Sequence, residues 1–340
     1  MLIPVSIESN KINIKEEINN LNFYDLNLTE AAIEEFVRLN IGRFFDNDME
    51  ISESLLIVGQ QVVNLQGARN DLVAIDSDGN LVLIEIKRDA SDIQNRSESL
   101  EFQSIRYAAS LATINNIDDL IERIYSRYIE KHRSEFDLSN VSIEELARRN
   151  ITNFLTQNNS KNNFNKKQRI LLISSGYDQQ TLSAVSWLSS NGVNISCISL
   201  NPIKHGDKIL LNVDSLIPVR NNEDYLIPFK DKSLELSNSS SNSRINRRTL
   251  PRMNKLMEWG IIKPGMILHI KNYPEQTAEV IDSKTVLFKN EKISFNAWGS
   301  EVTGWSSICI YDFATTQSGE TLSELRSQKM KELKDIEVIE

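Results

Sequence analysis

The residues "LVAIDSDGNLVLIEIKRD", positions 72–89, constrain the fold more than any other stretch. Two apolar runs flank Asp78-Gly79, a turn signal because glycine accepts positive φ at little cost, so the stretch predicts a hairpin. The second run is too apolar for a solvated edge, yet it carries Glu85 and Lys87. Strand residues two apart share a face, so this carboxylate and ammonium point the same way while Ile84 and Ile86 point the other. If a one-residue bulge lets Asp76 face Asn80, Asp71 lies opposite Glu85 with β-carbons on the order of 5 Å apart. A slip of one residue changes that partner.

Two adjacent carboxylates repel unless a cation lies between them. An oxygen-only site with few protein ligands suits Mg²⁺ or Mn²⁺. Such an ion lowers the pKa of a bound water and neutralises charge building on a phosphate. Lys87 can position that water or stabilise the transition state. Asp71, Glu85 and Lys87 therefore outline a phosphodiester-hydrolysis site. The competing reading is a surface hairpin with a cross-strand salt bridge. The apolar setting favours chemistry, because ionisable groups are costly to bury and their burial marks functional sites.

Elsewhere the pattern divides the 340 residues into two domains. "NLTEAAIEEFVRLNIGRFF" spaces Ile33, Phe36, Val37 and Ile41 along one helix face, with Asn27 and Glu30 set as a capping box. The opening residues read as an ordinary first strand, "SLLIVGQQVVN" as a strand, and "ESLEFQSIRYAASLATI" as a helix. "QRILLISSGYDQQTLSAVSWLSSNGVNISCISL" has the form strand, helix, glycine stop, strand, a parallel crossover. The expected fold is α/β: a mixed sheet flanked by helices over 1–230, then a Ser/Asn-rich basic linker at 231–250. A smaller sheet-rich α+β domain at 251–325 and a polar helical tail at 326–340 complete it.

Composition excludes several classes. No apolar run is long enough for a membrane span. The N-terminus lacks a secretory pattern, which predicts a cytoplasmic protein. Cys197 and Cys309 sit in apolar runs and read as buried thiols, and His132, His205 and His269 form no zinc spacing. Neither phosphate-loop glycine motif occurs. A net charge of −9 disfavours nucleic acid globally. Locally, "SRINRRTLPRMNK" is wholly basic and includes Arg247 and Arg248, either a solvated linker or a phosphate-contacting segment.

Asp71 followed by Glu85-Ile86-Lys87 resembles the PD-(D/E)xK nuclease signature, with Asn70 where that family often has proline. Gln103-Ser-Ile-Arg-Tyr107 is similar to the Q-x3-Y element of its RecB-like branch. The resemblance spans about 27–112, with looser agreement to about 220. It implies a restriction-endonuclease-like fold, with a metal held by Asp71, Glu85 and Glu34, the last being the first-helix glutamate. It also implies that Gln103 and Tyr107 position the DNA backbone. Glu30 is set aside because capping accounts for it. Arg69 and Arg88 flank the site and are candidate phosphate contacts. Gln60 and Gln61 are within reach, with edge-strand polarity the competing account.

The C-terminal segment, with Lys263-Pro264-Gly265, Ile293-Ser294-Phe295 and Gly304-Trp305, is similar to the RAMA-type domain found beside restriction enzymes and DNA methylases. That resemblance implies recognition of DNA, including modified DNA. Trp298 and Trp305 are candidates to stack on bases, or else core residues of a small sheet. Together these readings lead to the expectation of a Mg²⁺- or Mn²⁺-dependent DNA endonuclease of restriction or phage defence. It would be untethered to a membrane and dimeric, as many such nucleases are. The alternatives are a structure-specific repair nuclease and a non-catalytic DNA-binding protein on the same scaffold.

Overall fold

Leu72 to Ile86 folds as the hairpin that its turn residues predict. Leu72 pairs with Ile84 and Ile75 with Leu81 in an antiparallel register. Asp76 N donates to Asn80 O at 3.0 Å, and Gly79 takes a φ of +86°. Carried one residue further, this register sets Asp71 opposite Glu85. The computed structural model describes residues 5–8, 11–14, 19–45, 54–94, 96, 98–218 and 250–337. Arg247, Arg248 and most of the Ser/Asn-rich stretch lie outside the described residues. The chain divides into two units, residues 1–39 with 57–236, and residues 40–56 with 237–340.

In the first unit, among the described residues, β1 (Val5–Glu8) and β2 (Lys11–Ile14) pair only with each other, as a two-stranded sheet apart from the main one. There follow β3 (Asn19–Asn20), α1 (Glu30–Asn40), β4 (Leu55–Val63), β5 (Arg69–Asp76) and β6 (Leu81–Ile86). Next come α2 (Ala90–Gln94), α3 (Leu100–Leu111), α4 (Ile117–Leu120), a π-helical turn at Ile121–Tyr125, α5 (Ser126–Lys131) and α6 (Ile143–Gln157). The crossover β7 (Gln168–Ser174), α7 (Gln179–Ser190) and β8 (Ile195–His205) leads to β9 (Lys208–Ile217).

The seven-stranded sheet runs β3-β8-β7-β6-β5-β4, with β9 paired to β8. β5–β6 and β8–β9 are antiparallel, β6–β7 and β7–β8 parallel, so the sheet is mixed. The parallel part needs the right-length crossover, and α7 supplies it: Asp178 accepts from Thr181 N at its start, and Gly192 turns with φ +87° beyond its end. α3 packs on β6 and β7, α7 packs on β8 and β9, and the two helices touch. With every residue of β6 buried, that strand is central, which explains why it is apolar at every position but Glu85.

On α1, Ile33 and Val37 are buried as expected, as is Ile41 in the 3-10 turn that follows, while Phe36 stays 37 % exposed. The cap differs from the expected one. Thr29 Oγ1 accepts from Ala32 N at 3.2 Å, so Thr29 is the cap and Glu30 is the first helical residue, its side chain released for another partner.

The second unit contains α8 (Met253–Glu258), strands β10 (Ile267–Ile270), β11 (Tyr273–Val280), β12 (Thr285–Phe288) and β13 (Glu291–Ser294), then α9 (Phe295–Thr303), α10 (Ile310–Phe313), β14 (Ala314–Thr315) and α11 (Leu322–Glu337). Its antiparallel sheet has the order β13-β12-β11-β10-β14. Residues 40–56 belong with it: Leu55 and Ser307 exchange backbone hydrogen bonds, and Ser54 Oγ accepts from Cys309 N. α9 packs on β11, β12 and β13 and sinks Trp298 completely, near Phe288. Trp305 is also buried and meets Phe313 edge-on at 5.0 Å. Neither ring offers a face to a base; both are core, because a sheet this small needs large side chains to fill it. Cys197 and Cys309 are unbridged thiols. Among the described residues, no helix is long and apolar enough to cross a membrane.

A β-carbon at Gly79 would lie 3.1 Å from Ser160 O, on a backbone of left-handed φ. Gly79→Ala is expected to cost about 1–2 kcal/mol of stability, measured by urea unfolding.

Candidate active site

The hairpin register decides the site. Asp71 on β5 and Glu85 on β6 face one another, and Lys87, one residue past β6, keeps the strand alternation because its N donates to Ile173 O of β7. All three side chains are buried, Glu85 almost completely. Lys87 Nζ lies 2.9 Å from Glu85 Oε1, 3.6 Å from Asp71 Oδ2 and 3.3 Å from Glu30 Oε1, and donates to Ile86 O at 2.6 Å. Asp71 Oδ2 accepts from Ile86 N at 2.7 Å, which locks the aspartate across the strand pair. Glu85 Oε2 is buried with no hydrogen-bond partner.

The charges respond to this confinement. Burial, with Asp71 adding to it, pushes the Glu85 carboxyl up to about 8 even though Lys87 pulls the other way. Burial also raises Asp71, opposed by Lys87 and the Ile86 amide. For Lys87, burial disfavours the ammonium, but Glu85, Asp71 and Glu30 outweigh it and the pKa rises. Lys87 is thus a fixed cation at neutral pH, not a base.

Glu34 joins through Gln61. Gln61 Nε2 donates to Glu34 Oε2 and, at 3.4 Å, to Asp71 Oδ1. The Glu34 carboxyl is buried and its pKa raised, first by burial and then by Asp71. Successive strand residues ordinarily point to opposite faces. Here Gln61 takes a φ of +55°, and both Gln60 and Gln61 line the same cleft. Gln60 bonds Glu35 and, at 2.8 Å, His132 Nε2. A non-glycine residue held in the left-handed region stores strain, and such strain persists where the surroundings demand it.

The cleft measures about 570 Å³ and lies among α1, β4 and the end of α5, with Glu30, Glu34, Gln60, Gln61, Lys131 and His132 on its walls. Lys131 lowers the Glu34 pKa by its charge, and exposed Arg96 does the same to Glu85. Burial and nearby Arg38 lower the His132 pKa, so its imidazole is neutral at pH 7.

The structure therefore gathers Asp71, Glu85, Lys87 and Glu34, and it restores Glu30, which capping had seemed to explain. It also makes contacts of Gln60 and Gln61. Other expected residues have different hydrogen-bond partners or are exposed. Gln103 Nε2 donates to Tyr107 Oη at 2.9 Å, the two sharing a face of α3, but neither bonds the carboxylates. Arg88 is held by Asp92 and lies over the Tyr24 ring, so it is occupied and not open to phosphate. Arg69 is exposed, two residues before Asp71. Among the described residues, no three His, Cys, Asp or Glu side chains converge closely enough to form a ready metal cluster. As placed, the Lys87 ammonium and the Gln61 amide bond the carboxylates instead. Lys131 and His132 were invisible in sequence, since they sit seventy residues from Gln61 and only the packing of α5 brings them in.

Two outcomes follow from this geometry. Replacing Gln61 by alanine or glycine removes the same amide, but only alanine keeps the backbone strain. Gln61→Gly is expected to be more stable than Gln61→Ala by about 1 kcal/mol in chemical denaturation. The second concerns pH. Glu85 keeps its proton up to about 8 when folded, against an ordinary 4.5. Unfolded chains lose that proton first, so in EDTA the folded state loses stability as pH rises from about 4.5 to about 8. Glu85→Gln should flatten that loss, read as a melting temperature that gains on wild type through this window and levels above it.

Comparison of the chain with protein-family models and with curated proteins found no match.

Proposed function

We propose that the chain is a metal-dependent DNA endonuclease whose first unit has a restriction-endonuclease-like fold of the PD-(D/E)xK type. The observation that carries this reading is the burial of Asp71, Glu85 and Lys87 around one another, with Nζ 2.9 Å from Glu85 and 3.6 Å from Asp71, beside an open cleft. A salt bridge serving stability alone has little reason to leave Glu85 Oε2 buried and unpartnered.

That orphaned oxygen is also the test of fit for Mg²⁺ or Mn²⁺. Carboxylate oxygens are the ligands such ions prefer, and Glu85, Asp71 and Glu34 are the residues that would hold one. When bound, the ion lowers the pKa of a water and neutralises charge on the scissile phosphate. The chain's own groups do the rest. Lys87 remains an ammonium and donates hydrogen bonds toward charge developing on the phosphate oxygens. The Ile86 amide fixes Asp71, and Gln61 fixes Glu34 against it. Exposed Arg69 and Arg96, with Lys131 on the cleft wall, supply the local positive charge that an acidic chain needs to hold a backbone.

The second unit, similar in sequence to RAMA-type domains, is proposed to select the DNA target, modified DNA included, in restriction or phage defence. Trp298 and Trp305 take no part in that reading, being core residues.

The experiment is cleavage of supercoiled plasmid, plain and base-modified, in Mg²⁺ or Mn²⁺. Wild type is expected to cut. Asp71→Ala and Lys87→Ala should each lose about 10²-fold or more in rate while retaining a cooperative melt. A wild type that binds DNA without cutting any substrate would leave a binding protein on a nuclease scaffold. Cleavage confined to branched or mismatched oligonucleotides would point to repair.

A further inference from the structure

β9 is the outer strand beyond β8, and among the described residues it pairs with no other strand. Its register with β8 is unbroken from His205–Lys208 to Ile198–Ser215. The turn joining them has two residues, Gly206 and Asp207, with Gly206 at φ +58°. The pair closing a two-residue hairpin exchanges both of its hydrogen bonds, and so does every second pair after it. Lys208, Leu210, Asn212 and Asp214 therefore spend their backbone groups on β8. The N–H and C=O groups of Ile209, Leu211 and Val213 point away from the sheet.

Proteins blunt such edges with proline, bulges or mid-strand lysines. From Lys208 to Ser215 this strand has no proline and no bulge, and its one lysine stands at the end. Between Lys208 and Asn212 it shows three consecutive apolar residues: Ile209, Leu210 and Leu211, exposed to 45 %, 45 % and 38 %.

We propose that β9 pairs with itself, so that two copies of the chain associate antiparallel about a two-fold axis at Leu211. Only this register satisfies both the free backbone groups and the charges. Ile209 falls opposite the partner's Val213 and Leu211 opposite the partner's Leu211, each pair exchanging both hydrogen bonds. On that face the apolar side chains of the two copies form one unbroken row. On the opposite face Leu210 meets the partner's Asn212, and Lys208 meets the partner's Asp214, an ion pair made twice by symmetry. Shifting the axis one or two residues either way keeps hydrogen bonds between the outward-facing residues but parts the lysine from the aspartate. The contact is isologous and uses up the edge, so association stops at two copies. It stands apart from the reaction proposed above and survives or fails without it.

Sedimentation of the full chain over a range of concentrations tests it. Wild type is expected to be a dimer. Leu211→Arg sets two guanidinium groups against each other on the axis and should give monomer. Lys208→Asp and Asp214→Lys should each weaken the dimer by about tenfold or more, and the two together should restore it. Circular dichroism checks that each variant is folded, and if Leu211→Arg is not, the charge swap decides alone. A wild type that stays monomeric, a dimer indifferent to these changes, a double variant as weak as the singles, or growth into larger assemblies overturns the proposal.

Discussion

One buried ammonium holds the first unit's site together. Removing a carboxylate from water costs several kcal/mol, and two of them side by side cost more. Lys87 makes the arrangement tolerable by lying within 4 Å of Asp71, Glu85 and Glu30 at once. The compensation is incomplete, since Glu85 still holds its proton to about pH 8 and one of its oxygens finds no partner. The site is thus poised between a protonated acid and a carboxylate, the condition that the proposed divalent ion would exploit.

The same economy appears in the frame around it. Thr29 takes over the cap of α1, and that frees Glu30 to reach the lysine. A left-handed residue at Gln61 breaks the alternation of β4 and sends two adjacent amides into one cleft, one to Glu34 and Asp71, the other to Glu35 and His132. Arg38 then ties Glu35 to Glu135 and Tyr128, so the cleft's far wall is fixed by an ion network and not by apolar packing alone.

The second unit follows a plainer logic. Its sheet is short-stranded and antiparallel, and its largest side chains are spent on the interior. Aromatic residues that resemble readers of bases in sequence are here what keeps a small module folded. Residues 40–56 group with this unit although they run from the end of α1 to the start of β4, and Ile41, Phe44, Phe45 and Leu55 are buried, a membership with no sequence signature.

What sequence alone determined is what short-range physics dictates. Asp78-Gly79 fixed a turn, the two apolar runs fixed its strands, and strand alternation put Glu85 and Lys87 on one face. The glycine stop at Gly192 and the apolar runs on either side of α7 likewise specified a parallel crossover. Tertiary structure decided the rest. Which acid accompanies Lys87, how Gln61 bends β4, that Lys131 and His132 border the cleft, and that both tryptophans lie inside all depend on contacts between distant segments. A propensity describes one residue among its neighbours in sequence. Burial and charge pairing belong to neighbours in space, and only the folded chain selects those.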